Sequence, residues 1–234
     1  GFLLHSGLWI PRLSFLLDEG WDLCLIDLPG HGLSGGERGG VDDFNKYGGA
    51  LSAALAELAP AARAPLVAAG HSTGCSAWLD FLSRKDPIGI AKAVFLAPLL
   101  RSAHWLPSRF GDALFGRFLR YLPSLNPDGP KDPANAALVA CDPFRPKRYP
   151  YSWVKALFAW NDALPSRSWP ALDLTVVQGD RDRVVDWRWN LRFLREAFRD
   201  LELCLSPGAG HELLCGRPAE VGFQREAFLS ALRA

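Results

Sequence analysis

Short apolar runs bounded by glycine, proline or aspartate recur along the chain at residues 23–28, 65–70, 92–97, 174–178 and 201–206. Runs of this length, nearly continuous in hydrophobicity, suit strands buried on both faces of a parallel sheet. Between them the period changes. From Asp42 to Leu58 the apolar positions Phe44, Tyr47, Leu51, Leu55 and Leu58 fall three or four residues apart, and Asp42 and Asp43 stand where an acidic helix start is favourable. The same reading predicts helices over residues 11–18, 72–84, 186–198 and 219–232. Strands alternating with helices predict an α/β protein with a doubly wound, mostly parallel sheet.

One stretch breaks the alternation. Between the apolar runs at 92–97 and 174–178 lie residues rich in proline and aromatics, among them Trp105, Phe110, Phe118, Tyr149, Trp153 and Trp160, with no strand-like pattern. A structureless loop of that length is uncommon inside a compact domain, so the pattern predicts an inserted, mainly helical cap. The expected division is therefore a core of residues 1–98, a cap of 99–168 and a second core segment of 169–234.

Composition narrows the partners. With 26 Lys+Arg against 25 Asp+Glu the formal net charge is +1, so no global field favours nucleic acid. The five cysteines, Cys24, Cys75, Cys141, Cys204 and Cys215, are scattered and lack the short paired spacings of a zinc site. They read as reduced thiols, and neither metal nor organic cofactor is implied. No stretch approaches the roughly 18 consecutive apolar residues of a membrane span, and a cytoplasmic location is expected. The chain contains no methionine and opens at Gly1 in what reads as the middle of a structural unit.

Candidate chemistry sits at the ends of the apolar runs. Gly70-His71-Ser72-Thr73-Gly74 closes one predicted strand and opens a predicted helix, the context in which G-x-S-x-G means a nucleophile elbow. Both glycines are expected to let backbone pass close to a strained serine. Ser72 is then the nucleophile, and the Thr73 amide at the helix N-terminus is placed to donate to an oxyanion. A plain helix N-cap is the competing role for Ser72. Downstream, the run at 174–178 leads into a turn carrying Asp180 and Asp182. Asp182, just before Arg183-Val184-Val185, is the expected acid, with Asp180 as alternative or as a brace of its own turn. His211, on the glycine-rich loop after the last run, is the expected base. The order Ser, acid, His is the one this fold uses, and loops at the carboxyl edge of an open α/β sheet are where sites gather.

Taken with the stretch Ile26-Asp27-Leu28-Pro29-Gly30-His31-Gly32-Leu33-Ser34, with residues 179–185 and with Gly210-His211, these motifs resemble the α/β-hydrolases grouped with monoacylglycerol lipases and bacterial lysophospholipases. The likeness spans nearly the whole chain. It implies that His5-Ser6-Gly7 heads the first helix, that Gly1 is the glycine of an oxyanion-hole His-Gly pair, and that Phe2 supplies the second oxyanion amide. A rival register makes residues 2–4 the strand and Leu8 the donor. The preferred register also implies up to three edge strands before Gly1. The resemblance points to hydrolysis of a small lipid-like carboxylic ester, a lysophospholipid or monoacylglycerol, under an aromatic cap that is also the expected place of any transient membrane-surface contact. The alternatives are a proline-type aminopeptidase, which needs an acidic pocket for a free amine, another small-ester or thioester hydrolase, and a non-catalytic scaffold. Arg145, Lys147 and Arg148 are candidates to meet a phosphate head group, against the plainer reading of a solvated charge run.

Overall fold

The computed structural model describes residues 1–62, 64–84, 89–124, 133–216 and 218–233. In chain order the elements are α1 (Ser6–Leu13), α2 (Phe15–Asp18), α3 (Asn45–Leu58), β1 (Leu66–His71), α4 (Thr73–Leu82), β2 (Ile90–Leu96), α5 (Trp105–Phe115), β3 (Tyr121–Pro123), α6 (Pro133–Ala140), β4 (Arg148–Pro150), α7 (Ser152–Ala163), β5 (Asp173–Gly179), α8 (Trp187–Ala197), β6 (Leu201–Ser206) and α9 (Pro218–Arg233). β1, β2, β5 and β6 pair in that order as a parallel sheet, with Ala69 opposite Val94, Val94 opposite Thr175, and Val176 opposite Leu203.

The pleat sorts side chains into two layers. Along β2, Ala93 and Phe95 face a cluster with Tyr47, Leu51, Leu79 and Leu194 from α3, α4 and α8. Val94 and Leu96 face the opposite cluster with Trp9, Leu16, Phe228 and Leu232 from α1, α2 and α9. Alternate residues of a strand point to opposite faces, so burying both faces requires the near-continuous hydrophobicity read from the sequence. Because the four strands run parallel, their carboxyl ends share one edge, and Ser72, Pro98, Asp182 and His211 all follow strand ends there.

Two expectations are corrected. Residues 23–28 join no ladder; Cys24, Leu25, Ile26 and Leu28 line a cavity of about 140 Å³ together with Ala69, Gly70 and His71 of β1. A strand exists only with a partner for its N–H and C=O groups, and among the described residues the apolar pattern has none. The first helix begins at Ser6, where the resemblance puts His5-Ser6-Gly7, rather than near Pro11 as the apolar period suggests, because the His5 side chain accepts the Gly7 N–H and caps it; Pro11 lies inside α1, and α2 follows after Ser14. Within residues 99–168, α5, α6 and α7 alternate with β3 and β4, an antiparallel pair of three residues each that no strand-like pattern announced. Residues 125–132 of that region lie outside the described residues.

α7 belongs to the core as much as to the cap. Its Trp153, Leu157, Phe158 and Trp160 are buried in the same cluster as α3 and α4. Below it, buried Asp80 of α4 accepts from Arg167 Nη1 at 2.7 Å, Arg84 Nη2 at 2.8 Å and Trp160 Nε1 at 3.3 Å, tying the end of the cap to the helix behind the elbow.

Candidate active site

β1 ends in the turn predicted to be the elbow. Ser72 has φ +51° and ψ −114°, a backbone conformation L-residues rarely adopt and one that costs about 1–3 kcal/mol. The turn is held by neighbours: Ser72 N–H donates to Leu96 C=O at 2.9 Å, and Cys75 N–H to Ser72 C=O at 3.0 Å. Ser72 does not use its side chain to cap α4, which removes the competing N-cap role. At Gly70 a Cβ would stand 2.8 Å from the Cys75 nitrogen, as expected for backbone crossing close by. Gly74 is different. Nothing lies within 4 Å of a Cβ there, so the expectation of two crowded glycines holds on one side of the serine only.

The two carboxylates after β5 separate cleanly. Asp182 is buried; its Oδ2 accepts from His211 Nδ1 at 2.8 Å and Gln178 Nε2 at 3.0 Å, and its Oδ1 from Val184 N–H at 2.8 Å and Val185 N–H at 3.1 Å. Burial alone would raise its pKa, but the hydrogen bonds from His211, Val185 and Val184 and the imidazole charge outweigh it and hold the carboxyl below its usual range. Asp180 is exposed, and its Oδ1 accepts the Gly208 N–H at 2.7 Å. One aspartate holds the ring of His211; the other braces the loop that carries it.

That loop is fastened at several points. Arg181 N–H donates to Ala209 C=O at 2.9 Å, and any side chain at Gly179 would strike the carbonyls of Ala209 and Gly210. His71, next to the nucleophile, reaches His211 C=O with Nε2 at 3.0 Å, and the two rings lie 4.9 Å apart. A carbonyl only accepts, so His71 Nε2 carries the proton. Burial, then the neighbouring His211 charge, pushes its pKa well down and keeps it neutral. Arg12 of α1 pairs with Glu212 at 2.9 Å and pins the same loop from the opposite layer. Among the described residues Ser72 Oγ makes no hydrogen bond to His211. Such contacts are commonly long in an empty site and tighten with substrate.

The beginning of the chain packs against this elbow. A Cβ on Gly1 would meet His71 Nδ1 at 2.7 Å. The Phe2 ring stacks on Trp153 with centroids 4.0 Å apart and meets Tyr149 edge-on at 4.9 Å. Neither the Phe2 nor the Thr73 amide donates to a backbone carbonyl among the described residues, whereas Leu8 N–H is taken by His5 C=O at 3.0 Å. Residues 2–4 form a turn, not a strand.

Three supporting residues escaped the sequence reading. Gln178 donates to the buried carboxylate of Asp182, and its signal was a polar residue within an apolar strand, where a partner is required. His71 had been read only as part of the elbow. Asp27 accepts Ser6 N–H at 2.7 Å and Leu33 N–H at 3.0 Å, so it joins the head of α1 to the Gly30–Ser34 loop. Among the described residues no cluster of three or more His, Cys, Asp or Glu is placed to hold a metal ion.

A family model described as serine aminopeptidase, S33, matches residues 1–217. Among curated proteins none matches the sequence. Similar solved structures include the monoacylglycerol lipase of Paleococcus ferrophilus, at TM-score 0.81 and 20% identity over 100% of this chain and 92% of that one. A soluble variant of monoglyceride lipase from Saccharomyces cerevisiae, in complex with a substrate analogue, aligns at TM-score 0.78 and 20% identity over 98% of this chain and 83% of that one. An esterase from Exiguobacterium antarcticum aligns at TM-score 0.69 and 14% identity over 100% and 90%. With the elbow at one strand end and the aspartate and histidine at two others, the chain has the α/β-hydrolase fold and belongs to the serine aminopeptidase S33 family of hydrolases.

Proposed function

We propose that this protein hydrolyses carboxylic esters of lipid-like substrates, a lysophospholipid or monoacylglycerol, through an acyl-enzyme on Ser72. The observation that carries the reading is the buried 2.8 Å bond between His211 Nδ1 and Asp182, on a loop that His71 fastens to the elbow. His211 Nε2 takes the proton as Ser72 Oγ attacks the ester carbonyl carbon, and Asp182 steadies the imidazolium. The Thr73 and Phe2 amides receive the oxyanion. Collapse of the tetrahedral species breaks the bond to the alkoxide, which leaves with the proton from His211. Water, deprotonated by the same imidazole, then attacks the acyl carbon and frees Ser72.

The substrate class is argued from the cap. Phe2, whose neighbour Gly1 packs on His71 of the elbow, clusters with Tyr149 and Trp153 of the cap, and apolar surroundings suit an acyl chain. The two lipases it resembles in fold carry monoacylglycerol in their names. The family description favours a second reading, an aminopeptidase, which requires a carboxylate free to meet the substrate's amine. The described acidic residues of 99–168 are already engaged: Asp112 by Tyr151, Asp142 by His5 and Asp162 by Arg109.

The test is a panel of glycerol and p-nitrophenyl esters of graded acyl length, with a proline-amide probe beside it, on the wild type and Ser72→Ala. Turnover rising with acyl length and a loss of at least ~10³-fold in the variant is expected. Comparable rates for both proteins would remove Ser72 from the mechanism, and cleavage of the amide alone would favour the aminopeptidase.

A further inference from the structure

The first turn of α4 carries a hydroxyl that the fold leaves unpaired. Thr73 is fully buried, and among the described residues its Oγ1 has no hydrogen-bond partner. The polar side chains beside it on the helix are paired: Cys75 Sγ donates to Leu96 C=O at 3.6 Å and Ser76 Oγ to Leu99 C=O. A threonine in a helix commonly turns its hydroxyl to the carbonyl four residues back. Here that is Ala69 C=O, which already accepts Trp78 Nε1 at 2.9 Å. Burying a hydroxyl without a bond destabilises a fold, and such groups persist in native structures chiefly where function needs them.

The place of the residue says what the hydroxyl faces. Side chains of an α-helix lean toward its N-terminus, the direction in which the helix N–H groups also point. Thr73 is the first residue of α4, so its Oγ1 leans toward the elbow, and covalent geometry keeps it about 3–4 Å from its own amide nitrogen. That amide has no carbonyl partner among the described residues and is the one the mechanism gives to the oxyanion. An N–H and an O–H on one residue can converge on a single oxygen. Both are fixed beforehand, because Ser72, held at φ +51° by its bonds to Leu96 and Cys75, sets the backbone from which Thr73 starts. Donors placed in advance where charge develops are the strongest electrostatic device an active site has.

We propose that the Thr73 hydroxyl is a third donor to the oxyanion, beside the amides of Thr73 and Phe2. It stays unpaired in the fold and gains its partner when the carbonyl oxygen of the substrate takes up negative charge, so it acts on kcat rather than on KM. The proposal rests on the ester-hydrolase reading, which supplies that tetrahedral oxygen.

The test compares wild type with Thr73→Val, which keeps the branched shape without the hydroxyl, and Thr73→Ser, which keeps the hydroxyl without the methyl. Each is read by kcat and KM for a p-nitrophenyl ester, by Tm, and by the rate at which a fluorophosphonate labels Ser72, since the phosphoryl oxygen of that probe takes the place of the oxyanion. Thr73→Val is expected to lose about 10²–10³-fold in kcat at nearly unchanged KM and to label more slowly. Its Tm is expected to rise by roughly 2–4 °C, because a desolvated, unpaired hydroxyl has gone. Thr73→Ser is expected to recover most of the lost kcat. Undiminished kcat in Thr73→Val overturns the proposal. So does a fall in its Tm, which would make the hydroxyl a structural bond, and so does a Thr73→Ser as slow as Thr73→Val, which would trace the loss to the methyl. Labelling of wild type without ester turnover, slowed in Thr73→Val, would break the ester reading and leave the donor standing. Folded wild type that neither labels nor turns over the ester overturns both.

Discussion

α4 and α5 are short helices of similar apolar content with opposite fates. In α4, behind the nucleophile, every residue except Gly74 is buried, Leu79 completely, because the sheet lies on one side and α3 on the other. In α5 only Trp105 is buried, and the remaining large apolar side chains face outward. Burying a Leu or Phe side chain stabilises by about 1.5–3 kcal/mol. In α4 that stabilisation is already realised in the fold and keeps the elbow rigid; in α5 it is left unrealised. The same distinction divides the two aspartates after β5, one buried against the imidazole and the other at the surface bracing a loop.

The sharpest break of that second contrast is Asp182→Asn against Asp180→Asn. The first removes the partner that fixes the His211 tautomer and should lower kcat for a p-nitrophenyl ester by about 10⁴-fold. The second removes one bond to Gly208 and should cost less than about tenfold. Equal losses would mean that the geometry of the pair does not reflect its use. For the helices, Leu79→Ala should destabilise by about 2–5 kcal/mol in a urea titration, while Leu106→Ala stays within about 0.5 kcal/mol. A large cost at Leu106 would place α5 in a core rather than at the surface.

How far the sequence carried follows the same physics. β1, β2, β5 and β6 fell within about two residues of the runs read for them, because strands buried on both faces leave little room for polar residues. Ser72 and His211 were legible from glycines at strand ends. Asp182 was favoured over Asp180 by its place before Arg183-Val184-Val185, but both ride one turn, and the direction of that turn, set by Val184 and Val185 N–H binding Asp182, is visible only in three dimensions. Residues 23–28 carry a strand's pattern, but pattern does not supply the partner. β3 and β4, three residues each, are too short for any period to register. The start of α1 was legible from the resemblance, through His5-Ser6-Gly7, but not from the apolar period, because histidine is an uncommon cap and Pro11 suggested a beginning rather than an interior position.

The central claim is that Ser72, strained at the mouth of α4 and served by His211 and Asp182, is a nucleophile. A fluorophosphonate probe tests it without assuming any substrate: treat the folded protein, measure the intact mass and map the adduct by peptide fragmentation. The account predicts one adduct on Ser72, absent from Ser72→Ala and slowed in Asp182→Asn. Folded wild type that takes up no probe, or Ser72→Ala labelled as readily as wild type, would contradict it.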